Sequence, residues 1–110
     1  MKEKRNFIQV ITGPRQVGKT TLIGQLLEKL DIPSQYITAD GAGSEGAIWI
    51  EKHWEAARRI LMTEGAGDII LVIDEIQKLD NWSETVKKLW DEDTWNKIPL
   101  KLIISGSSRL

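Results

Sequence analysis

At 110 residues the chain is long enough for one domain with a real core, and small for a complete enzyme. Its 15 basic and 16 acidic residues leave a net charge of −1, so composition points to no nucleic acid and no anionic membrane surface as partner. The absence of cysteine excludes a disulfide framework and thiolate metal sites, and no stretch approaches the length of a membrane span. The charged opening Met1-Lys2-Glu3-Lys4-Arg5 is like that of a signal peptide, but the apolar run behind it is short and is broken by Gln9. The chain reads as soluble and cytoplasmic.

Phe7 to Ile11 has the apolar run of a buried strand. It leads into Gly13, Pro14, Arg15, Gln16, Val17, Gly18, Lys19 and Thr20, followed by Thr21. Together these match the phosphate-loop pattern G-x-x-x-x-G-K-[ST] at every fixed position. Gly13 and Gly18 permit backbone turns that aim successive N–H groups at phosphate oxygens. Lys19 brings a compact positive charge to the terminal phosphates, and the Thr20 hydroxyl is placed to ligate Mg²⁺. From Thr20 onward, Leu22, Ile23, Leu26, Leu27 and Leu30 form an apolar stripe at helical spacing, so the loop faces a helix N-terminus. A plain glycine turn would need neither Lys19 nor Thr20.

Asp31 to Ser34, with Pro33, stops that helix, and Gln35 to Ala39 reads as a second strand ending at Asp40. Residues 41–46 are a glycine-rich connector. From Ile48 to about Thr63, Ile50, Trp54, Ala57 and Leu61 recur at helical intervals, with Trp49 and Ile60 widening the face. His53 and the Arg58-Arg59 pair read as solvated helix residues. After the turn at Glu64 to Gly67 come five consecutive branched aliphatics, Ile69 to Ile73, which require a central parallel strand buried on both faces. Asp74 and Glu75 stand at its C-terminal end, the edge where open α/β sheets bind ligands. Asp74 is placed to hold Mg²⁺, directly or through water, and Glu75 to polarise water attacking a γ-phosphate.

Asp80-Asn81, with Glu84 behind, reads as a capping-box start for a helix whose face carries Trp82, Val86, Leu89 and Trp90. Lys87 and Lys88 fall on the other face, and Trp95 is expected in the following loop. The five tryptophans are read as packing residues rather than base-stacking ones. Leu100 to Ile104 is another buried strand. It ends in Ser105-Gly106-Ser107-Ser108, where a hydroxyl either contacts the γ-phosphate or simply makes a turn.

These segments together resemble the AAA_14 group of AAA-type ATPases, whose members often carry a DUF4143 domain C-terminally. G-P-R-Q-V-G-K-T-T at 13–21, D-E-I-Q at 74–77 with Trp82 after it, and S-G-S-S at 105–108 carry the likeness. The resemblance implies a P-loop NTPase: an α/β, three-layer α/β/α sandwich with a mostly parallel sheet of order 5-1-4-3-2. It implies ATP, with Mg²⁺, as the ligand; Lys19, Thr20 and Asp74 as phosphate and metal residues; Glu75 as activator of water; and Ser107 as the polar sensor, with Ser105 and Ser108 close alternatives. Two departures stand out. The 41–46 loop lacks the acidic, proline-containing character expected there, and strand 5, the lid, the second sensor and any C-terminal domain are missing. None of Arg58, Arg59 and Arg109 matches an arginine finger, which is expected from a missing region or another subunit.

The resulting expectation is an ATPase core over residues 1–110, truncated at its C-terminus. The first strand would lie at a sheet edge and invite self-association. Two alternatives stand beside hydrolysis: a nucleotide-binding interaction module that does not turn over, and a small-molecule kinase. Glu75 speaks against the kinase, because a carboxylate poised over water would waste ATP.

Overall fold

A computed structural model of the chain describes residues 8–12, 19–42, 45–64 and 67–106. In chain order these form strand β1 (Ile8–Thr12), helix α1 (Lys19–Leu30), β2 (Ser34–Thr38), α2 (Ala47–Glu64), β3 (Ile69–Asp74), α3 (Trp82–Asn96) and β4 (Leu100–Gly106). The four strands make one parallel sheet in the order β1-β4-β3-β2. That is the 1-4-3-2 portion of the expected order, with β1 and β2 at the two edges of the described sheet.

β3 is buried at all six positions, as its unbroken aliphatic run requires. Its side chains alternate between two layers. Ile70 and Val72, with Ile103 of β4, pack against Ile23 of α1, and Leu26, Leu27 and Leu30 close the rim of that cluster. Ile69, Leu71 and Ile73, with Leu100, Leu102 and Ile104, face Trp49, Ile50, Trp54, Ala57 and Leu61 of α2 and Val86 and Leu89 of α3. One helix therefore covers one face and two cover the other, giving the three-layer sandwich. Among the described residues 21 apolar side chains are buried, most of them in the cluster under α2 and α3, and burial stabilises by about 25 cal/mol per Å² of apolar surface.

Local chemistry sets the helix ends. α1 closes at Asp31, whose left-handed backbone (φ 54°) lets its N–H reach the Leu27 carbonyl at 3.0 Å. The Pro33 carbonyl then accepts from the Ile70 N–H at 2.9 Å and leads the chain into β2. α3 ends the same way at Lys97 (φ 58°), with Pro99 beyond. Its start differs from expectation. Asn81 occupies the N-cap, but in a left-handed conformation (φ 55°) with no side-chain cap, so no capping box forms. The Asn81 carbonyl instead accepts from the Thr85 N–H at 3.3 Å. Trp95, expected in a loop, lies in the last turn of α3 and is 86% exposed.

Further differences involve polar residues. β4 continues through Ser105 and Gly106, because β1 extends to Thr12 and supplies the pairing partner for each. His53 is half-buried, its ring centroid 4.5 Å from that of Trp49, rather than solvated. Arg58 is not a surface cation either. Its Nε donates to Asp93 Oδ1 at 2.8 Å and its guanidinium also reaches Glu55 and Glu92, while Arg59 stays exposed.

Candidate active site

Because the four strands are parallel, their C-terminal ends share one edge of the sheet. Asp74 is the last residue of β3, and by alternation it points to the same face as Ile70 and Val72, the face covered by α1. Ser105, two residues beyond Ile103, shares that face. So does Tyr36, whose register partner on β3 is Val72. The three converge. Ser105 Oγ donates to Asp74 Oδ1 at 2.6 Å, Tyr36 Oη donates to Asp74 Oδ2 at 2.6 Å, and the Glu75 N–H donates to Oδ1 at 2.9 Å. Distances of this size between hydroxyl and carboxylate mark charge-assisted bonds, which fix the carboxylate plane. Asp74 is only 9% exposed.

Glu75 follows in an unusual conformation. Its backbone is left-handed (φ 56°, ψ 39°), which costs a residue with a Cβ about 1–2 kcal/mol. The turn lifts the chain off the sheet into a short 3₁₀ segment, Ile76–Lys78, where the Lys78 N–H donates to the Glu75 carbonyl at 3.1 Å. The Glu75 side chain is buried and accepts from Gln77 Nε2 at 2.8 Å. A strained backbone that places two adjacent carboxylates in different directions is characteristic of functional sites.

Lys19 and Thr20 open α1. β1 reaches the C-terminal edge of the sheet at Thr12, which pairs with Gly106, and α1 begins seven residues later and packs on the Asp74 face. The N-terminal end of a 12-residue helix, with its partial positive charge, therefore belongs to this edge. Gly13, Pro14, Arg15, Gln16, Val17 and Gly18 lie outside the described residues, as do Ser107 and Ser108. Thr21 is exposed on the first turn.

The donor set suits Mg²⁺. Asp74 offers a hard carboxylate flanked by hydroxyl oxygens, with Glu75 adjacent. Among the described residues no three of His, Cys, Asp and Glu gather as a metal group. A single carboxylate matches an ion that keeps several waters and takes its remaining ligands from substrate phosphates.

Comparison with known proteins decides the family: residues 5–110 match AAA_14, an AAA domain. The chain belongs to the AAA_14 family. Its fold is similar to that of C. elegans PCH-2, with a TM-score of 0.58 and 19% identity over 90% of this chain and 29% of that one. It is also similar to a Rhizobiales Trip13, with a TM-score of 0.56 and 18% identity over 94% of this chain and 38% of that one. The AAA domain thus spans well under half the length of either. No curated protein sequence matches it significantly. Family membership supports an ATPase-type nucleotide-binding function. Among the described residues no helix is long and apolar enough to cross a membrane.

Two site residues have no counterpart in the sequence reading. Gln77 was visible within D-E-I-Q but had no role until its amide appeared on Glu75. Tyr36 carried only a weak signal, an aromatic hydroxyl two residues from the end of a strand beside β3. Ser105 is the serine brought to Asp74.

Proposed function

We propose that this AAA domain binds ATP with Mg²⁺ and hydrolyses its β–γ phosphoanhydride. The observation that carries the proposal is the Asp74–Glu75 pair, one carboxylate fixed by two hydroxyls and the next swung out of the strand by a left-handed backbone. Backbone N–H groups from Gly13 to Gly18 would cradle the phosphates, as in a Walker A loop, and Lys19 would neutralise their terminal charge. Thr20 and Asp74, the latter in the Walker B position, would hold Mg²⁺ directly or through water. Mg²⁺, when bound there, would supply positive charge that offsets the charge on the phosphates. Glu75 would accept a proton from water as the water oxygen bonds to the γ-phosphorus. The bridging P–O bond then breaks with its electron pair retained by ADP. Ser105 is engaged with Asp74, and by family resemblance Ser107, with Ser108 as its alternative, is the proposed γ-phosphate contact.

A second possibility, a nucleotide-binding module without turnover, draws on the Gln77 amide, which holds a Glu75 oxygen that water would need. Phosphate release with purified protein, Mg²⁺ and ATP separates the two. Glu75→Gln is expected to bind ATP like the parent and to release phosphate about a hundredfold more slowly or worse, the usual worth of a general base. A parent that binds but never turns over favours the module, and a variant at the parent rate removes Glu75 from the chemistry.

Partners are proposed on the same footing. β1 pairs with β4 alone among the described strands, so its outer edge is proposed to take a strand from a second copy. Sedimentation at micromolar concentration is expected to show association, and a compact monomer would exclude it. A cytoplasmic location is proposed on composition alone.

A further inference from the structure

We propose that Tyr36 is a positioning residue for the Asp74 carboxylate, and that the Mg²⁺ dependence of nucleotide binding passes through its hydroxyl. The inference rests on the ATP-binding function proposed above and assigns it a residue from the edge strand.

Strand geometry makes the contact specific. Thr38 stands directly opposite Asp74 in the β2–β3 register and would be its nearest hydroxyl. The Thr38 side chain, however, accepts from the Asp40 N–H at 3.3 Å, capping the turn that follows β2. Tyr36 sits opposite Val72, two residues back, and reaches the diagonal position that long aromatic side chains can span. Its hydroxyl ends 2.6 Å from Asp74 Oδ2. Tyr36 is also 44% exposed on an edge strand, so burial of the ring does not account for an aromatic here. The hydroxyl does, because it holds the oxygen opposite the one that Ser105 holds. With both oxygens gripped from neighbouring strands, the carboxylate cannot rotate about its Cβ–Cγ bond without breaking a charge-assisted bond. Hydrogen-bond partners of metal-ligating carboxylates typically change metal affinity 10–100-fold when removed. The exposure of Tyr36 lets water replace it in part, which places the effect at the low end.

The test titrates ATP against the parent, Tyr36→Phe and Asp74→Asn, each with Mg²⁺ and with EDTA. The Mg²⁺ enhancement of affinity is expected to fall about tenfold in Tyr36→Phe and to vanish in Asp74→Asn, with the EDTA affinity of Tyr36→Phe unchanged. A purely structural tyrosine would lower stability and leave that ratio alone. The chain has one tyrosine, so ¹³Cζ-tyrosine labelling gives a single NMR signal. Asp74→Asn is expected to move it, and so is Mg²⁺ with ATP added to the parent. A parent-like ratio in Tyr36→Phe, or a signal indifferent to Asp74→Asn, would overturn the assignment of Tyr36 alone. A parent whose ATP affinity ignores Mg²⁺ would overturn the proposed function and this inference together.

Discussion

Two aspartates are buried in this AAA domain, and they are held by opposite kinds of chemistry. Asp93, fully buried on α3, accepts from Trp54 Nε1 at 2.8 Å, from Arg58 Nε at 2.8 Å, and sits 2.6 Å from Arg58 Nη2. Burial works against the Arg58 charge, yet Asp93 and its hydrogen bonds, with Glu55 and Glu92, hold the guanidinium above its ordinary pKa. Asp74, at the ligand edge, is held by the hydroxyls of Tyr36 and Ser105. Guanidinium and indole can only donate, whereas a hydroxyl rotates and can donate or accept. Asp93 is thus fixed in orientation by partners on both sides, as a clamp between α2 and α3 should be. The partners of Asp74 can rotate and reverse their bonds, as a site that exchanges ligands would require.

The same substitution at both positions breaks this comparison if it is wrong. Asp93→Asn presents an amide to a donor-only indole and leaves the Arg58 charge with only its half-exposed partners Glu55 and Glu92. Loss of one member of a buried pair costs about 3–5 kcal/mol, and Arg58, at the cluster's rim, puts the expected value near the bottom of that range. In a domain of this size the corresponding fall in Tm is about 10–20 °C, measurable by calorimetry or by Trp54 fluorescence in urea. Asp74→Asn is expected to cost less than about 1 kcal/mol, because its hydroxyl partners can reverse their bonds, while removing the Mg²⁺ response of ATP binding. Equal destabilisation at the two sites would show that the hydroxyl cluster is a structural clamp too.

How much of this was legible in the sequence follows the same division. Apolar periodicity announced every layer: Ile69 to Ile73 could only be a central strand, and Ile23, Leu26, Leu27 and Leu30 had to face it, whereas Leu22, read into the same stripe, is exposed. The D-E dipeptide at that strand's end marked the site, because carboxylates following five aliphatics conflict with local burial. Asp93 was legible in principle, since Val86, Leu89, Trp90 and Asp93 fall at one helical face and an acid on an apolar stripe demands a partner. Arg58, next to Ala57 on the α2 stripe, is that partner, but pairing across 35 residues depends on how two helices pack. Tyr36 was hidden for the same reason. Its contact depends on the β2–β3 register, which no local pattern encodes.

Glu75 sharpens the contrast by a smaller amount. A left-handed backbone imposes no strain on glycine, so Glu75→Gly is expected to keep the fold and offset the lost side-chain contacts by about 1 kcal/mol. Hydrolysis is expected to disappear with the carboxylate. Urea midpoints at or above that of the parent, with phosphate release lost, would identify Glu75 as a residue kept for chemistry at the expense of stability. A large drop in the midpoint would show that its contact with Gln77 matters more to folding than the backbone strain does.

The smallest expected effect separates the helical layer from the site through pH. His53, the chain's only histidine, lies half-buried against Trp49, and burial first, then the neighbouring Lys52 charge, lower its pKa, with Glu45 pulling weakly the other way. The sign follows from linkage. Below about pH 6.5 the unfolded chain takes up a proton that the folded chain still refuses, so stability is fully present above that pH. It is lost as the pH falls toward and through the lowered folded value. Urea midpoints at pH 7.5 and pH 5 should therefore differ more for the parent than for His53→Gln, since carboxylate titration is common to both. The neighbours provide the check on mechanism. Lys52→Gln removes a cause of the lowering and should shrink the histidine contribution, while Glu45→Gln removes the opposing charge and should enlarge it. If neither variant changes the pH dependence, or if Lys52→Gln enlarges it, then burial and charge at the His53 site do not set the acid sensitivity.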